Sequence, residues 1–294
     1  MKRIQLVGRG APLVLVPGIQ GRWEYMRRTI DALATSFRVI TFPLCGEPAS
    51  GRRFDRARGL DNFVDQIDVV LDECEIESAV ICGISFGGLI ALRYAACRPA
   101  RSSALVLAST PGPGFQLRKR HQFYTRAPFV FGPLFLAEMP RRVGHELAVA
   151  LPLRRDRLKF GWGQLRAFLR APVSASRMAE RVKMLGAQAL SDDCGRVAAP
   201  TLVLTGEPTL DYVVPVGGTS AYTKLIRGAR VEVIDRTGHL GCVTRPEVFA
   251  AIVADFVAAS PEREPSRGSG STRATSRVER NGGPHALRKD NDAA

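Results

Sequence analysis

Apolar residues along this chain fall into two recurring patterns, short runs and stripes at helical spacing. Runs at residues 3–7 and 12–16, separated by a Gly-Arg-Gly turn, predict a hairpin of two short strands. Five further runs predict strands at residues 37–42, 79–82, 104–108, 201–205 and 230–234. Stripes predict helices at residues 22–34, 60–71, 86–96, 219–226 and 246–258. This alternation predicts an α/β fold with a mostly parallel sheet flanked by helices on both faces.

The alternation stops after the fifth predicted strand and resumes before the sixth. We call residues 112–190 the insertion. Their pattern predicts a helical lid inserted between core segments 1–111 and 191–260. Its predicted helices are short and linked by Pro and Gly, at residues 118–121, 129–136, 147–153 and 165–169. After Ser260 large apolar residues are nearly absent, which predicts a disordered tail over residues 261–294.

The net charge of +14 is concentrated in the insertion, which has 15 Lys and Arg against 4 Asp and Glu. The simpler interpretation of this surplus is a solvated helical face. The alternative is an entrance that attracts an anionic acyl substrate, a carrier-bound thioester or an acidic membrane surface. No nucleic-acid partner is expected, because the insertion lacks a nucleic-acid-binding motif. No transmembrane segment is expected either, because no apolar stretch reaches the about 18 residues that a spanning helix needs.

The six cysteines are scattered, without a Cys-x-x-Cys pair or a histidine at zinc-binding spacing. We therefore expect free thiols, no metal, no cofactor and a cytoplasmic protein. The oligomeric state is left open by the sequence.

Candidate chemistry begins at residues 83–88, Gly-Ile-Ser-Phe-Gly-Gly, which lie between a predicted strand and a predicted helix. This context is typical of a nucleophile elbow, in which a strained turn exposes the serine hydroxyl. The flanking glycines let the strand and the helix pass each other without Cβ clashes. The pattern predicts that Ser85 is a catalytic nucleophile.

A serine nucleophile needs a base within hydrogen-bond reach, and the chain has only four histidines. His239 follows the last predicted strand, at the carboxyl edge of the sheet and beside the elbow. His285 lies in the tail, and His121 and His145 lie in the insertion. We therefore expect His239 to be the base.

A serine and a histidine of this kind form a catalytic triad with a carboxylate. This carboxylate should follow the strand at residues 201–205, where it can hold the imidazole in one tautomer. Asp211 and Glu207 are both candidates, and Asp211 is favoured because Glu207 follows the strand end closely. Two backbone amides should stabilise an oxyanion, those of Phe86 and of Ile19 in the loop at residues 16–21.

These residues give the chain a resemblance to the α/β-hydrolase superfamily, and over residues 10–259 to its lid-bearing, carboxylesterase-like branch, which includes carbon-carbon bond hydrolases. The resemblance rests on residues 12–18, 83–88, 200–206 and 237–239. It implies an α/β-hydrolase fold with an oxyanion loop, elbow, acid-bearing strand and histidine loop. Two departures are Pro17-Gly18, where many members have His-Gly, and a longer stretch before Asp211. Serine at position 85 disfavours haloalkane dehalogenase and epoxide hydrolase chemistry.

The expected function is cleavage of an ester, lactone or thioester through an acyl-enzyme, with a carbon-carbon bond less favoured. The alternative is a ligand- or partner-binding protein that keeps the fold without turnover. Ser85, His239 and Asp211 together favour the enzyme.

Overall fold

The computed structural model describes residues 4–117, 119–185 and 189–260, and seven strands of this part form one sheet. The strands are β1 Gln5–Val7, β2 Ala11–Val16, β3 Phe37–Thr41, β4 Ala79–Ile84, β5 Ser102–Ala108, β6 Thr201–Thr205 and β7 Arg230–Val233. Their order is β1-β3-β2-β4-β5-β6-β7, with β1 antiparallel to β3 and every other pair parallel. The predicted fold with a mostly parallel sheet is confirmed.

Helices lie on both sides of this sheet. They are α1 Arg27–Leu33, α2 Asp61–Glu73, α3 Phe86–Cys97, α4 Lys119–Tyr124, α5 Pro128–Ala150, α6 Arg154–Arg170, α7 Ala175–Lys183, α8 Ala189–Arg196, α9 Val216–Ser220, α10 Tyr222–Leu225, α11 Gly241–Thr244 and α12 Pro246–Ala258. Two apolar clusters form the core, one containing residues of α2, α3 and α8 and the other containing residues of α1 and α12. All six residues of β4 are buried, as an uninterrupted apolar strand between two helical layers requires.

The first two strands do not form the predicted hairpin. Strand β1 pairs with β3, which lies between β1 and β2 in the sheet. Gly8 and Gly10 have positive φ angles and pass against the chain that enters β3, where a Cβ on Gly10 would lie 2.6 Å from the carbonyl oxygen of Ser36. The two glycines therefore allow a close approach to the backbone that enters β3 and do not form the tight turn of a hairpin.

Helices in the insertion are longer than predicted. Helix α5 continues through Pro133 and Pro140 and includes part of the segment predicted as a separate helix at residues 147–153. A proline inside a helix removes one backbone hydrogen bond, yet α5 stays continuous and packs against α4, α7 and α11. Helix α8 packs on α3 beside the sheet. The role of the insertion as a lid stays a prediction, and the predicted tail at residues 261–294 lies outside the described residues.

Within the described ranges, no helix combines the length and the hydropathy needed to cross a bilayer.

Candidate active site

Ser85 lies at the junction between strand β4 and helix α3, in a backbone conformation that non-glycine residues rarely adopt. Its φ is 55° and its ψ is −121°. A strained backbone of this kind costs about 1–3 kcal/mol and is concentrated at functional sites. The sharp turn leaves the Ser85 side chain partly exposed, whereas every residue of β4 before it is buried.

The surrounding glycines are required by close approach of neighbouring backbone and side chains. A Cβ on Gly83 would overlap the backbone of Gly87, and a Cβ on Gly87 would overlap the carbonyl oxygen of Val16 at the end of β2. A Cβ on Gly88 would overlap the side chain of Thr110. The sequence pattern at residues 83–88 therefore reflects the crossing of β4, β2 and α3.

His239 reaches Ser85 from the loop between β7 and α11. Its Nε2 lies 3.1 Å from Ser85 Oγ, within hydrogen-bond distance. The His239 side chain is 12% exposed, so the pair is shielded but not sealed from solvent. The structure thus brings together the two residues that the sequence assigned as nucleophile and base.

Asp211 lies on the far side of the imidazole. Its Oδ2 is 3.4 Å from His239 Nδ1, and its side chain is 2% exposed. This distance is longer than a normal hydrogen bond, and Nδ1 makes no hydrogen bond with the described residues. The other oxygen, Oδ1, accepts hydrogen bonds from the amides of Val213 and Val214, at 2.9 and 2.8 Å. These bonds fix the orientation of the carboxylate.

Glu207, the alternative acid, points elsewhere. Its Oε1 accepts a hydrogen bond from the backbone amide of Arg236 at 2.6 Å. The amides of Leu210 and Asp211 both donate to the Glu207 carbonyl, at 3.0 and 3.2 Å. The long stretch before Asp211 is therefore folded into a turn, which brings Asp211 and not Glu207 to the imidazole.

The loop that contains Asp211 and the loop that contains His239 pack backbone against backbone. A Cβ on Gly206 would lie 2.5 Å from the carbonyl oxygen of Thr237, and a Cβ on Gly238 would lie 2.8 Å from the amide nitrogen of Asp211. Only glycine fits at both positions, so these two glycines set the distance between Asp211 and His239.

The two predicted oxyanion residues, Phe86 and Ile19, lie in segments that adjoin Ser85. The Phe86 amide is the first of helix α3, where an N–H group has no acceptor within the helix. A Cβ on Gly18 would lie 3.6 Å from Ser85 Cβ, which places the loop of Ile19 against Ser85. The Ile19 carbonyl accepts a hydrogen bond of 2.9 Å from Arg181 of helix α7. The loop is thus tied to the insertion.

Arg181 belongs to a buried ion pair that the sequence analysis missed. It donates to Glu47 Oε1 at 2.7 Å, and the two side chains are 4% and 1% exposed. Arg177 contacts the same oxygen at 3.2 Å. The pair joins helix α7 to the segment that follows β3, next to the Ile19 loop.

Glu146 is a second residue that the sequence analysis missed. It lies on helix α5, is 1% exposed, and its Oε1 accepts a hydrogen bond of 2.7 Å from the amide of Leu240. Burial raises the pKa of its carboxyl, against the opposing effects of the Gly238 and Leu240 amides and of nearby His239. One signal in the sequence was a glutamate between the apolar positions Val143 and Leu147 of the helix.

Cys242, three residues after His239, does not contribute a reactive group to the site. All six cysteines are free, and Cys242 is buried. Burial, with Glu146 nearby, raises the pKa of the Cys242 thiol to about 12. A thiol with this pKa stays protonated and is a poor nucleophile.

Comparison with known proteins supports the fold and the family. A model of the alpha/beta hydrolase family matches residues 13–252. A 2-hydroxymuconate semialdehyde hydrolase of a Pseudomonas species is 32% identical over 259 residues, covering 85% of this chain and 88% of the relative. A pimeloyl-[acyl-carrier protein] methyl ester esterase of Nitrosomonas europaea is 26% identical over 263 residues, covering 84% of this chain and 96% of the relative.

Among solved structures, an enol-lactonase from Burkholderia xenovorans superposes with a TM-score of 0.69 at 19% identity, covering 87% of this chain and 95% of that one. At this identity the likeness supports the fold alone. The match to the family model spans most of the chain, and the relatives are aligned over nearly their full length. The chain is therefore a hydrolase enzyme and belongs to the alpha/beta hydrolase family.

Proposed function

We propose that this enzyme hydrolyses an ester, lactone or thioester through an acyl-enzyme formed on Ser85. The observation that carries the proposal is the 3.1 Å separation between Ser85 Oγ and His239 Nε2 on the strained turn after β4. A serine hydroxyl becomes a strong nucleophile when a neighbouring imidazole takes its proton.

Each step of the proposed reaction is assigned to one residue of the site. Ser85 Oγ attacks the acyl carbon while His239 takes the hydroxyl proton, and the imidazolium then gives this proton to the leaving alcohol or thiol. Water, activated by His239, cleaves the acyl-enzyme and restores the serine. Asp211 orients the imidazole through Nδ1, a contact that shortens when the ring carries charge.

The negative oxygen of the tetrahedral intermediate needs fixed hydrogen-bond donors. The amides of Phe86 and Ile19 are the proposed pair, one at the start of α3 and one in the adjoining loop. Two contacts support a role for the insertion as a lid over this site. Arg181 holds the Ile19 carbonyl and Glu146 holds the Leu240 amide, so the insertion contacts both catalytic loops.

The basic insertion and the name of the Nitrosomonas relative favour an anionic or carrier-bound acyl group as substrate. A second candidate function is hydrolysis of a carbon-carbon bond next to a ketone. The name of the Pseudomonas relative, at 32% identity, favours it. The two candidates share Ser85 and His239 and differ in the leaving group, which is an oxygen or sulfur atom in one and a carbon atom in the other.

Mass spectrometry of the intact protein after mixing with p-nitrophenyl esters tests the proposal. We expect a burst of p-nitrophenol and one acyl group per chain on Ser85, absent from Ser85→Ala. Turnover of 2-hydroxymuconate semialdehyde with negligible ester turnover would favour the second candidate. Absence of both activities in folded protein would contradict the proposed function.

A further inference from the structure

Helix α6 of the insertion has apolar side chains on two opposite sides. One side, with Phe160 and Ala167, is buried. Gln164 on the same side donates to the Tyr25 carbonyl at 3.3 Å, which anchors the helix to the core. At about 100° per residue, the side opposite to these residues carries another row of apolar positions.

We call this second row the apolar stripe. It consists of Leu158, Trp162, Leu165 and Leu169, which are 74%, 58%, 44% and 71% exposed. Their spacing of three and four residues places them within about 60° of arc on the helix surface. Four large apolar side chains in one exposed row are unusual, because single exposed apolar residues are common but contiguous patches mark binding surfaces.

The residues beside the stripe are basic. Helix α6 has one acidic residue, Asp156, against six basic residues, which are Arg154, Arg155, Arg157, Lys159, Arg166 and Arg170. The guanidinium of Arg166 lies over the Trp162 ring, 5.8 Å from its centroid. Within the described ranges, Arg154, Lys159 and Arg170 have no ion-pair partner.

We propose that helix α6 docks this enzyme on an anionic lipid bilayer, with the apolar stripe among the acyl chains and the basic residues against the headgroups. A helix that lies in a membrane interface has this composition, with Leu and Trp on one face and Lys and Arg beside it. Trp is favoured at the level of the headgroups, where its ring is half in contact with water.

The shape of the surface favours a bilayer over a protein partner. The stripe lies on a convex helix, and its exposed side chains project from the helix surface. A fluid bilayer accepts protruding apolar side chains without a matching groove, whereas a protein partner needs complementary pockets. The surplus of positive charge adds attraction to anionic headgroups that falls as salt is raised.

Vesicle flotation of the full chain tests the proposal, with phosphatidylcholine vesicles compared with mixed phosphatidylcholine and phosphatidylserine vesicles. We expect binding to the mixed vesicles only, lost as salt is raised. The chain has two tryptophans, Trp23 and Trp162, and only Trp162 lies in the stripe. A blue shift of fluorescence on binding should therefore disappear in Trp162→Phe.

Paired variants distinguish binding through the apolar stripe from non-specific binding through other exposed apolar residues. We expect Leu158→Gln/Leu169→Gln to weaken vesicle binding at least about tenfold, because two apolar side chains no longer enter the bilayer. The control Val231→Gln/Val233→Gln changes two exposed apolar residues of β7 and should bind as the wild type does. Arg155→Gln/Arg166→Gln should weaken vesicle binding and reduce its salt dependence. The control Lys224→Gln/Arg227→Gln, which changes basic residues outside helix α6, should leave both unchanged.

None of these variants touches the candidate active site, so hydrolysis of a soluble ester should be unchanged and serves as the check of folding. Three outcomes would overturn the proposal. They are no binding of the wild type to mixed vesicles, unchanged binding of Leu158→Gln/Leu169→Gln, and capture by an acidic protein through the stripe without vesicle binding.

Discussion

Glu146 of helix α5 accepts a hydrogen bond from the backbone amide of Leu240, with 2.7 Å between Oε1 and the amide nitrogen. Leu240 follows His239, so a buried carboxylate of the insertion fixes the loop that carries the proposed base. Arg236 in the same loop donates to the carbonyl of Val149, also on α5, at 3.2 Å. Helix α5 therefore positions the histidine loop by two contacts.

Replacing Glu146 separates this positioning from bulk packing. Glu146→Ala leaves the part-buried Leu240 amide without an acceptor, and we expect the free energy of unfolding to fall by about 1–3 kcal/mol. The histidine should lose its fixed position, and kcat should fall about 10- to 100-fold with a smaller change in KM. Glu146→Gln keeps an acceptor oxygen and should retain most of the activity. Equal activities of the two variants would argue against positioning through the Leu240 amide.

The same carboxyl makes stability depend on pH. Burial raises its folded-state pKa above the about 4.3 of an unfolded glutamate, so the unfolded chain releases this proton first as pH rises. The stability contributed by the protonated form is present below pH 4 and is lost as pH rises through the folded pKa. Glu146→Gln lacks this loss. Urea unfolding at a series of pH values should show the free energy of unfolding of Glu146→Gln rising relative to that of the wild type as pH rises. A difference that does not change with pH would contradict the assignment.

Asp211 and Glu207 can be told apart by matched amide substitutions. Asp211→Asn keeps the shape but presents the wrong partner to His239 Nδ1, and kcat should fall by about 10³- to 10⁴-fold. Glu207→Gln changes a carboxylate that contacts the Arg236 amide, and kcat should stay near the wild-type value. A large loss in Glu207→Gln with little loss in Asp211→Asn would reverse the assignment.

The elbow glycines should tolerate no side chain. In Gly87→Ala the added methyl group would overlap the Val16 carbonyl oxygen and lie 2.5 Å from that of Pro17, so we expect aggregation or a large loss of stability. Gly163 in helix α6 has nothing within 4 Å of an added Cβ, and Gly163→Ala should stabilise the protein by about 0.5–1 kcal/mol. Thermal unfolding of both variants measures the contrast. A Gly87→Ala protein as stable as the wild type would show that the crossing is looser than described.

The sequence predicted those features that depend on interactions between residues near each other in the chain. Short apolar runs identified the parallel strands, and the glycines around Ser85 identified the elbow, because strand-to-helix crossing demands them. The position of β1 beside β3 was not predictable, since strand pairing depends on contacts distant in sequence. The same limit hid Glu146, which is 94 residues from Leu240 and acts only through the packing of α5 on the histidine loop.

The most direct test of the central claim is labelling of the intact protein with a fluorophosphonate, located by mass spectrometry beside Ser85→Ala and His239→Ala. The geometry predicts one label on Ser85 of the wild type, because His239 Nε2 lies 3.1 Å from Ser85 Oγ and activates it. Both variants should remain unlabelled. A well-folded wild-type protein that takes no label, or a label that persists without His239, would contradict an activated serine at this site.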